Sequence, residues 1–260
     1  MILGLDHIAL NTTDLISTEK ELINFGYLSR FCELELLNDT NKIPFLRHYE
    51  KRHHINLLHA VGCTPIEITV HHTHTANSSE LIHISMLASP NNCKRNDSEI
   101  DEYLEKYFGD EYLGFFNSSI IPTPIIGLSS NSKHSSFLAY EVENLAAGIA
   151  FWDQFLGARL TLSDNANFAV LTVNSPVKSW SLGCLLFKGR KRSIPMLDDA
   201  GLTCTAILCT NLDSHLTEYT KMFESDCVMP FTVNINNKAI RLALLRGPHA
   251  EIYELIEIER

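Results

Sequence analysis

The sequence of 260 residues predicts an α+β protein built from four copies of a β-α-β-β-β unit. Strand-like apolar stretches recur along the chain, and helix-like stretches follow them. Segments rich in turn-forming residues separate the copies. These three observations favour mixed sheets with helices packed on them, grouped as two domains.

Three of the units begin with the same pattern, an apolar strand and then an Asn-Leu or Asp-Leu step. The stretches are residues 8–15, 137–145 and 205–212. After Leu145 and Leu212, apolar residues follow at i+4, i+7 and i+11, which is one face of an amphipathic helix. An Asn or Asp before each helix is a suitable N-cap, so a helix is expected to follow each step.

The remaining unit diverges more from the pattern. Its first strand is expected at residues 81–87 and its helix at about 98–108. Residues 123–128 repeat the Thr-Pro-Ile opening of residues 64–69, with Ile126 in the place of Glu67. This repetition predicts that both segments are the last strands of their units.

Linker-like composition at residues 71–79, 129–136 and 189–201 marks the joints between units. We therefore expect an N-terminal domain of residues 1–132, composed of units 1–76 and 77–132. The expected C-terminal domain covers residues 133–260, composed of units 133–198 and 199–260.

Composition excludes several classes of protein. Hydrophobic residues make up 45% and charged residues 20% of the chain, which is typical of a globular protein. A net charge of −10 argues against nucleic acid as a partner. No apolar run is long enough to span a membrane, and no signal peptide is expected at the N-terminus. The seven cysteines form no CxxC motif, so we expect reduced thiols in a cytoplasmic protein.

Three segments resemble the vicinal oxygen chelate superfamily, which includes glyoxalase I, methylmalonyl-CoA epimerase, extradiol dioxygenases and bleomycin-resistance proteins. They are the strand Leu-Asp-His-Ile-Ala-Leu at residues 5–10, the helix end Phe-Trp-Asp-Gln-Phe-Leu-Gly-Ala at 151–158, and the closing segment at 244–255. The resemblance implies paired βαβββ modules whose sheets form cups. It also implies a divalent metal ion held by the first and last strands of the modules.

The resemblance places His7 and Glu67 at the two ligand positions of unit one, and His83 at the first-strand position of unit two. Two imidazoles and one carboxylate suit Fe, Mn or Zn and leave coordination positions open for a substrate. The first predicted metal site is therefore His7, Glu67 and His83.

An alternative site follows if units one and four pair with each other. The ligands would then be His7, Glu67 and Glu254, with Cys204 as an imperfect fourth. The resemblance gives the other units poorer ligand positions, since Phe137 begins unit three and Ile126 ends unit two. The sequence leaves both pairings open.

Two functions fit these residues. The first is a metal-dependent enzyme of the dioxygenase, lyase or isomerase type that acts on a small oxygen-rich organic molecule. The alternative is a metal-free protein that binds and sequesters a small molecule, as bleomycin-resistance proteins do. A small-molecule ligand is the expected partner, and the oligomeric state is left open between monomer and homodimer.

Several other polar residues are expected to be structural or solvent-facing. His53 precedes a predicted strand and is expected at the surface or in the core. The segment containing His71, His72 and His74 is expected to be a solvated connector. Arg47, and the basic run at residues 190–192, are expected to be surface charges.

Overall fold

The computed structural model describes residues 1–71, 78–79, 82–88, 90–118, 121–130, 132, 136–164, 166–177, 180–190, 193–223 and 229–258. His72, His74, Lys191 and Arg192, which the sequence analysis discussed, lie outside the described residues.

The structure is α+β with two mixed sheets, which confirms the predicted fold class. The strands are β1 (Ile2–Thr12), β2 (Leu28–Leu37), β3 (Arg52–His59), β4 (Ile66–Val70), β5 (Ser78–Ser79), β6 (Ile82–Leu87), β7 (Tyr112–Phe116), β8 (Ile125–Leu128), β9 (Phe137–Val142), β10 (Arg159–Ser163), β11 (Phe168–Val173), β12 (Leu182–Lys188), β13 (Ala200–Cys209), β14 (Phe231–Ile235), β15 (Lys238–Arg246) and β16 (Ile252–Glu257). The helices are α1 (Leu15–Asn24), α2 (Glu99–Phe108), α3 (Leu145–Ala150) and α4 (Leu212–Met222). Short 3-10 turns cover Thr40–Phe45, Pro90–Asn92 and Gly109–Glu111, and a π-helical turn at Phe151–Phe155 extends α3.

The helices begin where the polar steps of the sequence place them. The side chains of Asp14, Asn144 and Asn211 accept hydrogen bonds from backbone N–H groups at the starts of α1, α3 and α4. Helix α2 begins with a capping box between Ser98 and Asp101. These bonds satisfy N–H groups that have no partner inside the helix.

The first sheet has the strand order β14-β15-β16-β13-β1-β4-β3-β2, with β5 beside β13. The second sheet has the order β10-β11-β12-β9-β6-β8-β7. Unit one is thus paired with unit four, and unit two with unit three. Each sheet contains strands from both predicted halves, 1–132 and 133–260. The division of the chain into domains at this boundary stays a prediction.

The two sheets share one apolar core. It contains Ile8 of the first sheet and Leu138 of the second, both fully buried. The hydroxyl of Tyr140 on β9 is hydrogen-bonded to that of Thr205 on β13. Trp152, in the π-helical turn, packs against Tyr140 and against Tyr253 of β16, so its ring contacts both sheets. The sheets are therefore joined through their central strands.

The opposite faces of the two sheets differ. On the second sheet, aromatic rings of α2 cover the strands: Tyr103 stacks on Phe168 at 4.3 Å between ring centroids, and Tyr107 stacks on Phe137 at 5.4 Å. The first sheet curls into a cup, and the backbone N–H of Asn236, beside β14, reaches the carboxylate of Glu33 on β2. The opposite edges of this sheet thus approach each other around an open interior.

None of the helices in the described ranges is long and apolar enough to cross a membrane.

The turn between β15 and β16 buries a carboxyl group, that of Glu251. Its Oε2 accepts a hydrogen bond from the backbone N–H of His249 at 2.8 Å, and the residue is 3% exposed. Burial raises the pKa of Glu251 from 4.5 to about 7, although this hydrogen bond acts to lower it. The folded state therefore binds the proton more tightly than the unfolded state, and stability falls as the pH rises from about 4.5 to about 7.

We expect Glu251→Gln to raise the free energy of unfolding by about 3 kcal/mol at pH 8 and to change it little at pH 4.5, because the amide stays neutral. Urea denaturation at the two pH values measures this. Glu257→Gln is the control, because the carboxylate of Glu257 is paired with Arg241 at 2.7 Å. This control should show no gain at pH 8. A gain for Glu251→Gln that is equal at both pH values would contradict the assignment.

Candidate functional site

The interior of the first sheet is a cavity of about 280 Å3. Its volume lies near the lower end of small-molecule sites, which span roughly 300–1,000 Å3. Most of the wall is apolar and comes from both halves of the sheet: Phe31, Leu36, Ile55, Leu57, Leu197, Val233, Ile235, Ile240, Leu242, Leu244 and Ile256. The polar and ionisable side chains of the lining include His7, Glu67 and Glu254.

His7, Glu67 and Glu254 meet on the floor of this cavity. His7 lies on β1, Glu67 on the neighbouring β4, and Glu254 on β16. Nε2 of His7 is 3.7 Å from Oε1 of Glu67 and 4.0 Å from Oε2 of Glu254. Both carboxylate side chains are 13% exposed, and that of His7 is 5% exposed. The floor of the cavity is therefore a compact, largely buried cluster of ionisable groups.

One ring nitrogen of His7 has a partner and the other has none. Nδ1 lies 2.7 Å from Oδ2 of Asp6. Nε2 is buried and has no hydrogen-bond partner. A carboxylate on one ring nitrogen orients the ring and directs the other nitrogen toward its target. Here that target is the space beside Glu67 and Glu254.

Burial and charge compete for the protonation of this cluster. Burial alone would lower the pKa of His7, but the negative charges of Glu67, Asp6 and Glu254 outweigh it and raise the pKa to about 9. Burial raises the pKa of Glu67, and the charge of His7 only partly offsets this. Without another cation present, the cluster therefore holds a proton on His7 at neutral pH.

The strand register identifies which residues of the four units occupy the same position in the repeat. Where the first and last strands of a unit pair in parallel, the partners are Ala9↔Glu67, Ser85↔Ile126, Ala139↔Leu185 and Ala206↔Glu254. Two residues before each first-strand partner stand His7, His83, Phe137 and Cys204. Only units one and four carry a carboxylate at the last-strand position, and they share a sheet.

The structure brings together the alternative ligand set, His7, Glu67 and Glu254, and does not bring His83 to it. His83 lies on β6 of the second sheet, because unit two pairs with unit three. Its Nδ1 is 3.1 Å from the carbonyl oxygen of Pro124, and its ring lies between Phe115 and Phe187 at centroid distances of 6.1 and 6.0 Å. His83 thus lies in a different sheet from His7 and Glu67 because of the unit pairing, and which residues bind a metal stays a prediction.

The cavity has a second polar group, which sequence analysis did not assign to a site. His53, on β3, and His71, just beyond β4, stack with ring centroids 5.5 Å apart and an interplanar angle of 5°. Burial, together with the charge of Lys42, lowers the pKa of His53 to about 2, so this imidazole is neutral. Lys42, in the 3-10 turn Thr40–Phe45, also lines the cavity.

Arg47 is not part of the cavity, and it is more than a surface charge. Its guanidinium binds the carboxylate of Asp199 through Nε at 2.6 Å and through a terminal nitrogen at 3.0 Å. The neighbouring carboxylate of Asp198 accepts the backbone N–H groups of Arg47 and His48. These contacts fasten the segment before β13 to unit one, and Leu197 of that segment lines the cavity.

Solved structures share this fold. Glyoxalase I from Zea mays superposes with a TM-score of 0.61 over 98% of this chain and 92% of that chain, at 12% sequence identity. A protein from Bacillus subtilis assigned as a dioxygenase superposes with a TM-score of 0.59 over 98% of this chain and 85% of that chain, at 9% identity. The chain has the vicinal oxygen chelate fold. No family model and no curated protein matches the sequence, so the likeness establishes the fold alone.

The cofactor implied by a vicinal oxygen chelate fold is a divalent metal ion, and the donor set of His7, Glu67 and Glu254 suits one. Ligand atoms bound to a common ion at about 2.1 Å lie roughly 3–4 Å apart, close to the observed separations. As these side chains stand, no group of three or more His, Cys, Asp or Glu in the described part of the chain is arranged as a metal site. Binding would therefore require the two carboxylates to turn toward Nε2 of His7.

Cys204 occupies the position equivalent to His7 within the vicinal oxygen chelate repeat. Burial raises the pKa of its thiol well above the usual range, and the charges of Glu254 and Glu67 add to this. The thiol is thus protonated in the metal-free protein. Its place in the cavity wall makes it a possible fourth donor only when a cation lowers that pKa.

Proposed function

We propose that the protein is a metal-dependent enzyme of the vicinal oxygen chelate type, with His7, Glu67 and Glu254 as metal ligands. The observation that carries this proposal is the buried Nε2 of His7, which has no hydrogen-bond partner and faces two carboxylates. Buried polar atoms usually have a hydrogen-bond partner, and a cation between Nε2 and the two carboxylates would satisfy all three groups. The substrate would be a small, oxygen-rich organic molecule held in the cavity.

Asp6 acts on the metal site through His7. By accepting a hydrogen bond from Nδ1, its carboxylate keeps a proton on that nitrogen, so a ring that loses its second proton has the lone pair on Nε2. The charge of Asp6 also increases the basicity of the ring. A neutral His7 in this tautomer is the form that can bind a cation, so uptake of the ion would displace the proton now held at Nε2.

The metal ion, when bound, would supply Lewis-acid chemistry to a substrate that chelates it through two neighbouring oxygens. Glu67 and Glu254 would hold the ion beside His7 and supply negative charge to it. The apolar wall excludes water from the reacting atoms. Dioxygenase, lyase and isomerase chemistry are all compatible with these roles.

Elemental analysis of protein purified without a polyhistidine tag tests the proposal. We expect about one Fe, Mn or Zn per chain in the native protein, and loss of that metal in Glu67→Gln and in Glu254→Gln. Each substitution keeps the size of the side chain and removes its charge. Loss in only one variant would remove the other residue from the ligand set.

A second candidate function is metal-free binding of a small molecule. The observation in its favour is the raised pKa of His7, because a protonated imidazole can balance the carboxylates without a metal. Absence of metal after incubation with each ion, combined with a small molecule bound in the cavity, would favour this function over the enzyme.

A further inference from the structure

Lys42 is an unpaired positive charge at the wall of the cavity. Of the described residues that line this cavity, Lys42 alone is a lysine or arginine. It is half-buried, and within the described chain its ammonium forms no hydrogen bond and no ion pair. Burial raises the pKa of Glu67 and the charge of Lys42 acts to lower it, although no ion pair joins the two side chains, so the ammonium can still pair with an anionic ligand.

The backbone fixes Lys42 where it stands. The 3-10 turn Thr40–Phe45 is capped by Asp39, whose carboxylate accepts the N–H of Asn41 at 2.8 Å. The turn ends at Phe45, which is fully buried and covered by the guanidinium of Arg246. Beyond it, Arg47 is bound to Asp199. Lys42 therefore lies in a segment of the cavity wall whose backbone is held in place by these contacts.

His53 supplies a neutral polar group to the same cavity. It is 3% exposed, and its Nδ1 has no hydrogen-bond partner. His53 lies beside His71, which follows Glu67 by four residues along the chain, a distance of roughly 13 Å in extended backbone. The cavity thus has one end with carboxylates and another with an imidazole pair.

We propose that the substrate is a small carboxylic acid with an apolar body, whose carboxylate is bound by Lys42 and by a hydrogen bond from His53. A carboxylate is repelled by Glu67 and Glu254 and attracted by the ammonium, which sets its orientation. Apolar residues such as Phe31, Leu57 and Leu242 would contact the body of the molecule. The inference rests on the proposed function only for the opposite end of the substrate, which would reach the metal site.

A pair of probes separates this inference from the metal site. The probes are 3-phenylpropionate and its neutral amide, 3-phenylpropanamide, which share one apolar body and differ in charge. Binding is measured by calorimetry on protein treated with a chelator, so that no metal takes part. We expect the native protein to bind the acid about tenfold more tightly than the amide, since hydrogen bonds to charged groups are the stronger ones.

Lys42→Met should bring the affinities for acid and amide to within about twofold of each other, because methionine keeps the apolar part of the side chain without its charge. Lys20→Met is the matched control, since Lys20 is exposed on α1 and the change in net charge is the same. This control should keep the preference for the acid.

The ratio of the two affinities is the decisive readout, because a general distortion of the cavity would weaken both probes. An unchanged ratio in Lys42→Met, no preference in the native protein, or no binding of either probe would each overturn the inference. None of these results depends on metal content, so failure here is distinguishable from failure of the proposed metal site.

Discussion

His7→Ala should lower the affinity of the protein for a divalent ion by at least about 100-fold, whereas His83→Ala should leave it unchanged. The two histidines stand at equivalent register positions in units one and two. His7 faces two carboxylates within 4.0 Å. His83 is enclosed by Phe115 and Phe187, and Ile126 stands where its unit would need a carboxylate. Identical substitutions therefore remove a proposed ligand in one sheet and a side chain packed between aromatic rings in the other.

Titration of chelator-treated protein with Zn or Mn, followed by calorimetry, gives the two affinities. Far-UV circular dichroism shows that both variants are folded before they are compared. An equal loss of affinity in the two variants would restore the set of His7, Glu67 and His83. Unchanged affinity in His7→Ala would place the ion away from this cluster and would contradict the proposed function.

Trp152→Ala should lower the free energy of unfolding by about 3–5 kcal/mol. The indole is fully buried, and its neighbours Tyr140 and Tyr253 belong to different sheets. Its removal leaves a cavity where the two sheets meet, and the surrounding rings can fill it only in part. The loss should therefore affect the whole fold and not one sheet alone.

Urea denaturation, followed by circular dichroism, measures this effect. Trp152→Phe keeps a large ring at the junction and should cost about 1–2 kcal/mol. Ile16→Ala is the exposed control, since Ile16 is 79% exposed on α1 and should change stability by less than about 0.5 kcal/mol. A Trp152→Ala protein as stable as Ile16→Ala would show that the junction is not a principal source of stability.

The predictable part of the fold is the part encoded locally. The strand around His7 and the polar step at Asp14 lie within a few residues of each other, and the same is true of Asn211 and α4. Periodicity and capping determine such elements. The repeated unit and the α+β class followed from them, and the solved structures of the same fold agree.

The pairing of units could not be predicted because all four units present similar strand edges. Contacts between residues far apart in sequence, such as Tyr140 with Thr205, accompany the observed arrangement. The same limit applied to Glu254, whose proximity to His7 depends on β13 lying between β1 and β16.

The sequence analysis did not assign the other end of the cavity, with Lys42 and His53, to a site, for a different reason. Lys42 lies in a 3-10 turn and His53 at the start of a strand, and neither belongs to a motif. Only the folded sheet places them in the same cavity as Glu67. A signal that could have drawn attention to His53 is its alternation with Ile55 and Leu57, which places all three on one face of β3.

The pairing of unit one with unit four has a consequence for the order in which the protein can be built during translation. Units two and three are contiguous in sequence, so their sheet can form while the chain is still being made. The strands that carry His7 and Glu67 must wait, because their sheet is completed only by β13 and β16. Throughout that interval one edge of β1 lacks its partner β13, and the cavity between the two halves of the sheet forms only after β13 to β16 have been made.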